Sequence, residues 1–119
     1  MTSVTDLINR YQAGERNFRE IDLSAADLSG VNLSEADLSL AKLAGANLSG
    51  ANLSRANLSG AILQAANLSQ AILTEADLNW ADLGRANLTG VDLTGAKMQM
   101  TILIRARLTG ATMPDGSKR

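Results

Sequence analysis

A five-residue sequence repeat occurs three times in succession between Ala46 and Gly60, as A-N-L-S-G, A-N-L-S-R and A-N-L-S-G. In an α-helix, a leucine at every fifth residue would advance by about 140° per repeat and would form no apolar face. In a flat strand, side chains alternate between the two faces, so an odd spacing would leave half of the leucines in water. The leucines share one interior only if the chain turns a corner in every repeat. The period therefore predicts a solenoid with short straight sides.

The five-residue phase extends far beyond this phrase. From Phe18 to Met113, seventeen of the twenty positions spaced by five are Leu, and the residue two places earlier is Ala at fifteen of them. These two positions share one face of a strand, so we predict that a large and a small apolar side chain of each repeat point inward. Asn or Asp stands between them at thirteen sites, and Ser or Thr follows the Leu at twelve. Short polar side chains of this kind bond to nearby backbone and stabilise turns.

The tandem pattern A-(N/D)-L-(S/T)-X resembles that of the pentapeptide-repeat proteins, and the resemblance covers Arg16 to about Pro114. It implies an all-β solenoid, a right-handed quadrilateral β-helix with one pentapeptide on each side of the coil. Twenty repeats would then make about five coils and, at about 4.8 Å per stacked strand, a shaft roughly 24 Å long. The expected organisation is a helical cap over residues 1–15, the β-helix over 16–115 and a tail over 116–119.

Charges on the outside of the coil favour four sides over three. In a four-sided coil, residues twenty apart stack, and Glu35, Arg55 and Glu75 then form a column that alternates in sign. With fifteen residues per coil, several carboxylates would stack directly on one another, and opposed like charges destabilise a sheet. Arg85 over Arg105 is a counterexample in the four-sided register. The balance still predicts four sides.

Residues 4 to 13 are predicted to form a short amphipathic helix. Its apolar residues fall at i, i+3, i+4 and i+7: Val4, Leu7, Ile8 and Tyr11. Ser3 is the expected N-cap, and Gly14 can close the C-terminus. Because the first coil of a solenoid must be sealed, we interpret the helix as a cap over Phe18 and Ile21. The alternative is an amphipathic helix that binds a partner.

Composition excludes several kinds of activity. The chain has neither His nor Cys, its net charge is −1, and the repeat runs from Ile21 to Ala96 without an inserted loop. An enzyme is therefore not predicted, and neither a metal nor a cofactor is expected. Near-neutral charge gives no reason to expect nucleic acid or an anionic membrane as a partner. Without a signal peptide or a long apolar run, the expected location is the cytoplasm.

Two kinds of function remain. The favoured hypothesis is a non-catalytic scaffold or protein–protein interaction module with an unidentified protein partner. The alternative follows from the resemblance, because some pentapeptide-repeat proteins mimic DNA and bind DNA gyrase, protecting it from quinolones or inhibiting it as quinolones do. Such mimicry needs carboxylates at duplex-like density along a rod. This sequence has a short shaft and aspartates interleaved with Asn, Lys and Ile.

The candidate partner-binding site is one corner of the coil, where large apolar residues gather around Gly60. In the four-sided register these residues are Leu40, Trp80, Met100, Ile62, Ile102 and Ile104. We call this set the Trp80 corner. A contiguous apolar cluster that holds the only Trp can mark an interface. Two alternatives stay open: that relaxed surface positions drifted to apolar residues, or that the C-terminal tail folds back over Met100 and Ile102.

Charge also shifts towards the C-terminus. Residues 97–119 carry five basic and one acidic residue, whereas residues 1–96 carry six basic and eleven acidic residues. A basic end that meets an acidic surface predicts a head-to-tail or end-to-end assembly through the C-terminal end. The apolar Trp80 corner is a separate candidate surface for self-association. The alternative is that Arg105, Arg107 and Pro114 discourage the addition of a strand to an open end.

Overall fold

The computed structural model describes residues 2–119, which form one helix followed by a long coil of pentapeptides. The helix, α1, spans Val4–Gln12. The Ser3 hydroxyl accepts the Asp6 N–H at 3.1 Å as the N-cap, which satisfies one of the free donors of the first turn. Gly14, with φ of +99°, lets the chain leave the helix. The molecule measures 36 × 23 × 22 Å along its principal axes.

Parallel β-bridges join residues that are twenty apart, from Asn17 to Thr112. Each pentapeptide contributes one residue to a bridge, at the position that is Asn or Asp in most repeats, and turn residues separate one bridge from the next. The sides of the coil are therefore single bridges and not longer strands. Backbone hydrogen bonds follow the same register, and the Leu58 N–H donates to the Asp77 carbonyl at 2.8 Å. Twenty residues, or four pentapeptides, thus make one coil, which is the register that the charge columns favour.

Each corner of the coil is a tight turn with one residue in the left-handed conformation. The last residue of every pentapeptide from Glu20 to Gly110 has φ between +58° and +72°. The residue three places after each Leu closes the turn, as where the Ala61 N–H donates to the Leu58 carbonyl at 3.0 Å. A positive φ at the third residue is typical of a type II turn. Glycine adopts this conformation freely, whereas any other residue there bears a steric cost.

The interior consists of stacked leucines and alanines. From Leu23 to Leu93, no Leu of the five-residue series is more than 1% exposed, and the Ala series from Ala36 to Ala86 is equally buried. The prediction that these two positions point inward is confirmed. Because full burial of a Leu side chain is worth about 1.5–3 kcal/mol, the Leu series is the main source of stability.

The polar residue before each Leu is engaged in the turn. All thirteen Asn and Asp side chains at this position accept a hydrogen bond from the backbone N–H two residues on. Some of the carboxylates accept a hydroxyl as well. The backbone N–H and the hydroxyl of Ser24 lower the pKa of Asp22, and the hydroxyl and N–H of Thr94 lower the pKa of Asp92. The predicted turn-stabilising role of these side chains is confirmed.

Helix α1 covers the N-terminal end of the coil. Leu7 is fully buried and belongs to the same apolar cluster as the coil interior, and Tyr11 packs against that cluster. The Tyr11 hydroxyl donates to the Ser34 carbonyl at 2.8 Å. The Arg10 guanidinium lies 5.1 Å above the centre of the Phe18 ring. Apolar burial, a hydrogen bond and a cation–π contact thus all join α1 to the coil.

At the opposite end, the tail folds back onto the last side of the coil. Thr112 and Lys118 form an antiparallel bridge, and the Arg119 N–H donates to the Ala111 carbonyl at 2.9 Å. The turn at residues 113–116 returns the tail to this side. The alternative in which the tail covers the Trp80 corner is therefore wrong, and Met100 stays 65% exposed.

Candidate functional site

The Trp80 corner presents apolar side chains to solvent along its length. Trp80 is 66% exposed, Met100 65% and Leu40 43%. Together with Gly60 they occupy the last position of their pentapeptides, where φ lies between +59° and +67°. Side chains at this position stand outside the core, on the turn itself. Trp80 and Met100 therefore bear the steric cost of a left-handed backbone with little gain from burial.

Leu40 lies along the corner, over the next coil. A Cβ on Gly60 would come within 2.7 Å of the Leu40 Cδ2 atom, closer than non-bonded carbon atoms approach one another. Gly60 therefore leaves room for Leu40 and also adopts its left-handed conformation without strain. Gln70 fills the same kind of space over Gly90 at another corner. At these two corners, a long side chain is thus matched by a glycine one coil later.

The three isoleucines of the predicted site lie on the side of the coil that follows the corner. We call this the Ile side, which consists of residues 21–25, 41–45, 61–65, 81–85 and 101–105. Ile62 is 41% exposed, Ile102 42% and Ile104 70%. Ile62 and Ile102 stand where most repeats have Asn or Asp. Their repeats therefore lack the side-chain bond to the turn and present apolar surface instead.

A groove of about 700 Å³ runs along the Ile side. Small residues, polar groups and two isoleucines line it: Ala44, Gly45, Gln64, Ala65, Asp82, Gly84, Arg85, Ile102 and Ile104. The structure thus brings Ile102 and Ile104 together in one groove. Leu40, Trp80 and Met100 lie outside its lining, on the preceding corner.

The two charged groups of the groove are held differently. Asp82 accepts the Gly84 N–H through Oδ1 at 3.0 Å and the Gln64 side-chain amide through Oδ2 at 2.6 Å, so both carboxylate oxygens are engaged. Within residues 2–119, no carboxylate lies within 4.0 Å of the Arg85 guanidinium. Arg55 on another side differs, because it pairs with Glu75 at 2.8 Å and this hydrogen bond raises its pKa.

Sequence reasoning missed the groove, although a signal for it is present. On the Ile side, the residue after the Leu is Ala44, Gln64, Gly84 or Ile104 in four successive coils, whereas most other repeats have Ser or Thr there. Gly84 is not required by a left-handed backbone. A Cβ on it would lie 3.2 Å from the Asp82 Oδ1 atom. The small residues Ala44 and Gly84 at this position leave space beside Ile104, and this space is part of the groove.

The chemistry of the groove suits binding. It offers one guanidinium, one hydrogen-bonded carboxylate, a side-chain amide and apolar surface. Across residues 2–119, no group of three or more His, Cys, Asp or Glu side chains is placed to hold a metal ion. In the same range, no helix has the length and apolar character needed to cross a membrane.

Comparisons with known proteins identify pentapeptide repeats along the coil. The family model for pentapeptide repeats matches residues 17–55, 51–90 and 86–115, with eight copies. The pentapeptide repeat protein Rfr23 from the cyanobacterium Cyanothece 51142 is 44% identical, with a TM-score of 0.72 over 72% of this chain and 58% of that chain. A pentapeptide repeat protein from the thylakoid lumen of Arabidopsis thaliana is 38% identical, with a TM-score of 0.79 over 85% and 70%.

A more distant structure is similar in fold alone. A trypsin-treated form of QnrB1, a plasmid-mediated fluoroquinolone resistance protein, is 18% identical, with a TM-score of 0.50 over 82% of this chain and 67% of that chain. The present chain spans little more than half the length of Rfr23. Curated proteins give no match. Since the family model covers nearly the whole coil, the chain belongs to the pentapeptide-repeat family.

Proposed function

We propose that this protein is a non-catalytic scaffold or protein-interaction module that binds a protein partner through the Trp80 corner. In this proposal the coil is a right-handed quadrilateral β-helix of about five coils with α1 as its cap. The interior stabilises the fold and is not available for binding, because its Leu and Ala series are buried and nearly uniform. The sides differ in their outward residues, so recognition is assigned to those residues.

The observation that carries the proposal is the exposure of Trp80 and Met100, at 66% and 65%. Scattered exposed apolar residues are ordinary, but these two stack one coil apart and continue into Ile102 and Ile104 on the Ile side. A contiguous apolar patch is typical of an interaction site. Trp in particular contributes strongly to binding when a partner removes it from water. The backbone of both residues has a positive φ, and the steric cost of that conformation is the same for Ala or Ser as for Trp or Met. The large side chains therefore do not make the turn more stable.

We expect the double variant Trp80→Ser with Met100→Ser to keep the fold and to lose self-association or partner capture. Both side chains are mostly exposed, so their removal changes little buried area, whereas the apolar patch disappears. Light scattering would measure self-association. Quantitative pull-down would compare the proteins recovered by the wild type and by the variant, and chemical denaturation would check the fold.

Ile72→Ser is the matched control, because Ile72 is 41% exposed but lies on a different side of the coil. It should leave both molecular mass and partner recovery as in the wild type. If the double variant showed unchanged mass together with unchanged partner recovery, the Trp80 corner would be eliminated as the interface.

We also expect that this protein does not inhibit DNA supercoiling by gyrase and does not shield gyrase from quinolones. In the column Asp37, Asn57, Asp77, the bridges place an amide between the carboxylates, so these lie two coils or about 10 Å apart. Duplex DNA carries one negative charge per about 1.7 Å of axis. This column is thus far below duplex charge density.

A supercoiling assay with titrated protein, with and without a quinolone, measures both effects. A known gyrase inhibitor serves as the positive control in the same assay. Inhibition at low micromolar concentration would overturn the scaffold proposal in favour of DNA mimicry.

A further inference from the structure

We propose that the groove on the Ile side binds an acidic, extended segment of a partner protein, with its carboxylates at Arg85 and Arg105 and an aliphatic side chain against Ile102 and Ile104. The inference rests on the proposed function, since it names the chemistry of the partner. The groove shares Ile102 and Ile104 with the Trp80 corner, but Trp80 and Met100 do not line it.

The first step is the stacking of two arginines. The twenty-residue register places Arg105 one coil after Arg85, and the Arg85 N–H donates to the Ile104 carbonyl at 2.8 Å. Both arginines are exposed and both stand at left-handed corner positions. Like charges in directly opposed positions destabilise a sheet. The pair therefore opposes folding of the free chain.

Neither arginine has an acidic partner to offset this repulsion. Across residues 2–119, the ion pairs involve other arginines, and neither Arg85 nor Arg105 lies within 4.0 Å of a carboxylate. Asp82 lines the same groove, but its oxygens are directed to the Gly84 N–H and the Gln64 amide. At another corner, by contrast, the positive charge of Arg55 is paired with the carboxylate of Glu75 one coil later. Arg85 lines the groove and Arg105 stands one coil later in the same column, so we assign the missing negative charge to a ligand of the groove.

The second step is the apolar surface beside these charges. Ile102 is 42% exposed and Ile104 70%, and both line the groove. The preceding coils contribute Ala44, Gly45 and Gly84, which leave the space open. A volume of about 700 Å³ is in the range of ligand-binding clefts. A short peptide with one aliphatic side chain between acidic residues fits both parts of the surface.

Charge complementarity favours an acidic peptide over nucleic acid. The groove contains the Asp82 carboxylate, which repels a continuous phosphate backbone, and the net charge of the chain is −1. Isoleucine side chains gain from an aliphatic partner and do not offer the aromatic stacking that single-stranded bases use. A peptide can place its carboxylates at the arginines and avoid Asp82.

The test begins with selection from a displayed library of random twelve-residue peptides on the immobilised full chain. We expect the enriched peptides to carry Asp or Glu next to Leu, Ile or Val. Fluorescence anisotropy with a fluorescein-labelled synthetic copy of the most enriched peptide then gives its affinity. We expect the double variant Arg85→Ala with Arg105→Ala to bind this peptide at least tenfold more weakly, and Ile104→Ser to weaken it as well.

Arg55→Ala is the matched control, because it removes an exposed arginine that already has an acidic partner, and it should bind the peptide as the wild type does. The double arginine variant should unfold at a denaturant concentration no lower than the wild type, since it removes a repulsion. A loss of peptide binding can then be assigned to the groove and not to unfolding.

The proposal is overturned if no peptide is enriched, if the enriched peptides lack acidic residues, or if the double arginine variant binds the peptide as tightly as the wild type. Tighter binding of a labelled DNA duplex than of the peptide would also overturn it. Peptides that bind through the Trp80 corner would be lost in Trp80→Ser with Met100→Ser and kept in the arginine variant. That outcome would reject the groove and leave the proposed interaction function standing.

Discussion

Replacement of Leu58 by alanine is expected to lower the free energy of unfolding by about 2–5 kcal/mol. Leu58 is fully buried at mid-shaft, and its neighbours in the coils before and after it, Leu38 and Leu78, are at most 1% exposed. The coil interior is bounded by backbone hydrogen bonds on every side, so it cannot collapse into the cavity that the mutation leaves. Chemical denaturation of the wild type and the variant gives the difference directly.

Ser59→Ala is the matched control, one residue along the same repeat. The Ser59 N–H donates to the Asn57 side chain at 3.0 Å, and this bond survives the mutation because it uses the backbone. The loss should therefore be within about 0.5 kcal/mol, as for most surface substitutions. Equal and small losses in both variants would contradict the inward position of the Leu series.

The interior could be predicted from sequence because it depends on one local rule. A Leu at every fifth position and an Ala two places before it can both be excluded from water in only one arrangement. The structure buries the Leu series from Leu23 to Leu93 and the Ala series from Ala36 to Ala86. The polar residues were equally predictable. An Asn or Asp side chain bonds to the backbone two residues on, which is a short-range interaction that needs no knowledge of the rest of the fold.

The corners show where a local rule is not sufficient. Seven glycines occupy the last position of the repeat, which is the residue type that a left-handed turn favours. Trp80, Arg85 and Met100 adopt the same conformation, with φ between +59° and +66°. The turn is imposed by the coil and not by the residue at its corner. The stacked hydrogen bonds outweigh the local cost at each such residue, so local preference alone would not place a Trp there.

The groove could not be predicted from any one repeat, because its lining comes from four coils. Gly45, Ala65, Arg85 and Ile104 are up to 59 residues apart in sequence, and only the twenty-residue register brings them to one side. The column of Arg85 and Arg105 looked like evidence against that register. With the register shown by the bridges, the same column becomes a local cost that the fold bears. Features that oppose stability in this way are expected at functional surfaces.

The two surfaces divide the outside of the coil by chemistry. The Trp80 corner offers apolar area from Trp80 and Met100, whereas the groove offers the unpaired Arg85 guanidinium beside isoleucines. Ile102 and Ile104 belong to both surfaces and connect one to the other. A partner that covered both would bury the apolar patch and neutralise the arginines together. Variants at either surface should then weaken the binding of that partner.

The second large effect is expected at the junction of α1 and the coil, where Phe18→Ala should lower the free energy of unfolding by about 3–5 kcal/mol. Phe18 is 2% exposed and occupies the position that Leu takes in the following repeats. The ring lies under the Arg10 guanidinium of α1, so alanine removes both core volume and the cation–π contact.

Phe18→Leu separates the two contributions, because Leu is the residue of the repeat itself and restores most of the core volume. It should cost less than Phe18→Ala, because it leaves a much smaller cavity and loses only the cation–π contact in common with it. Contacts in a solenoid are made only with neighbouring coils, so the damage in Phe18→Ala should begin at α1 and spread from there. Limited proteolysis of the native protein should therefore cut the alanine variant first within residues 4–17, before global unfolding, while the leucine variant stays protected there. If cleavage of Phe18→Ala began instead at mid-shaft, or if the alanine and leucine variants lost the same stability, Phe18 would not be the residue that joins the helix to the coil.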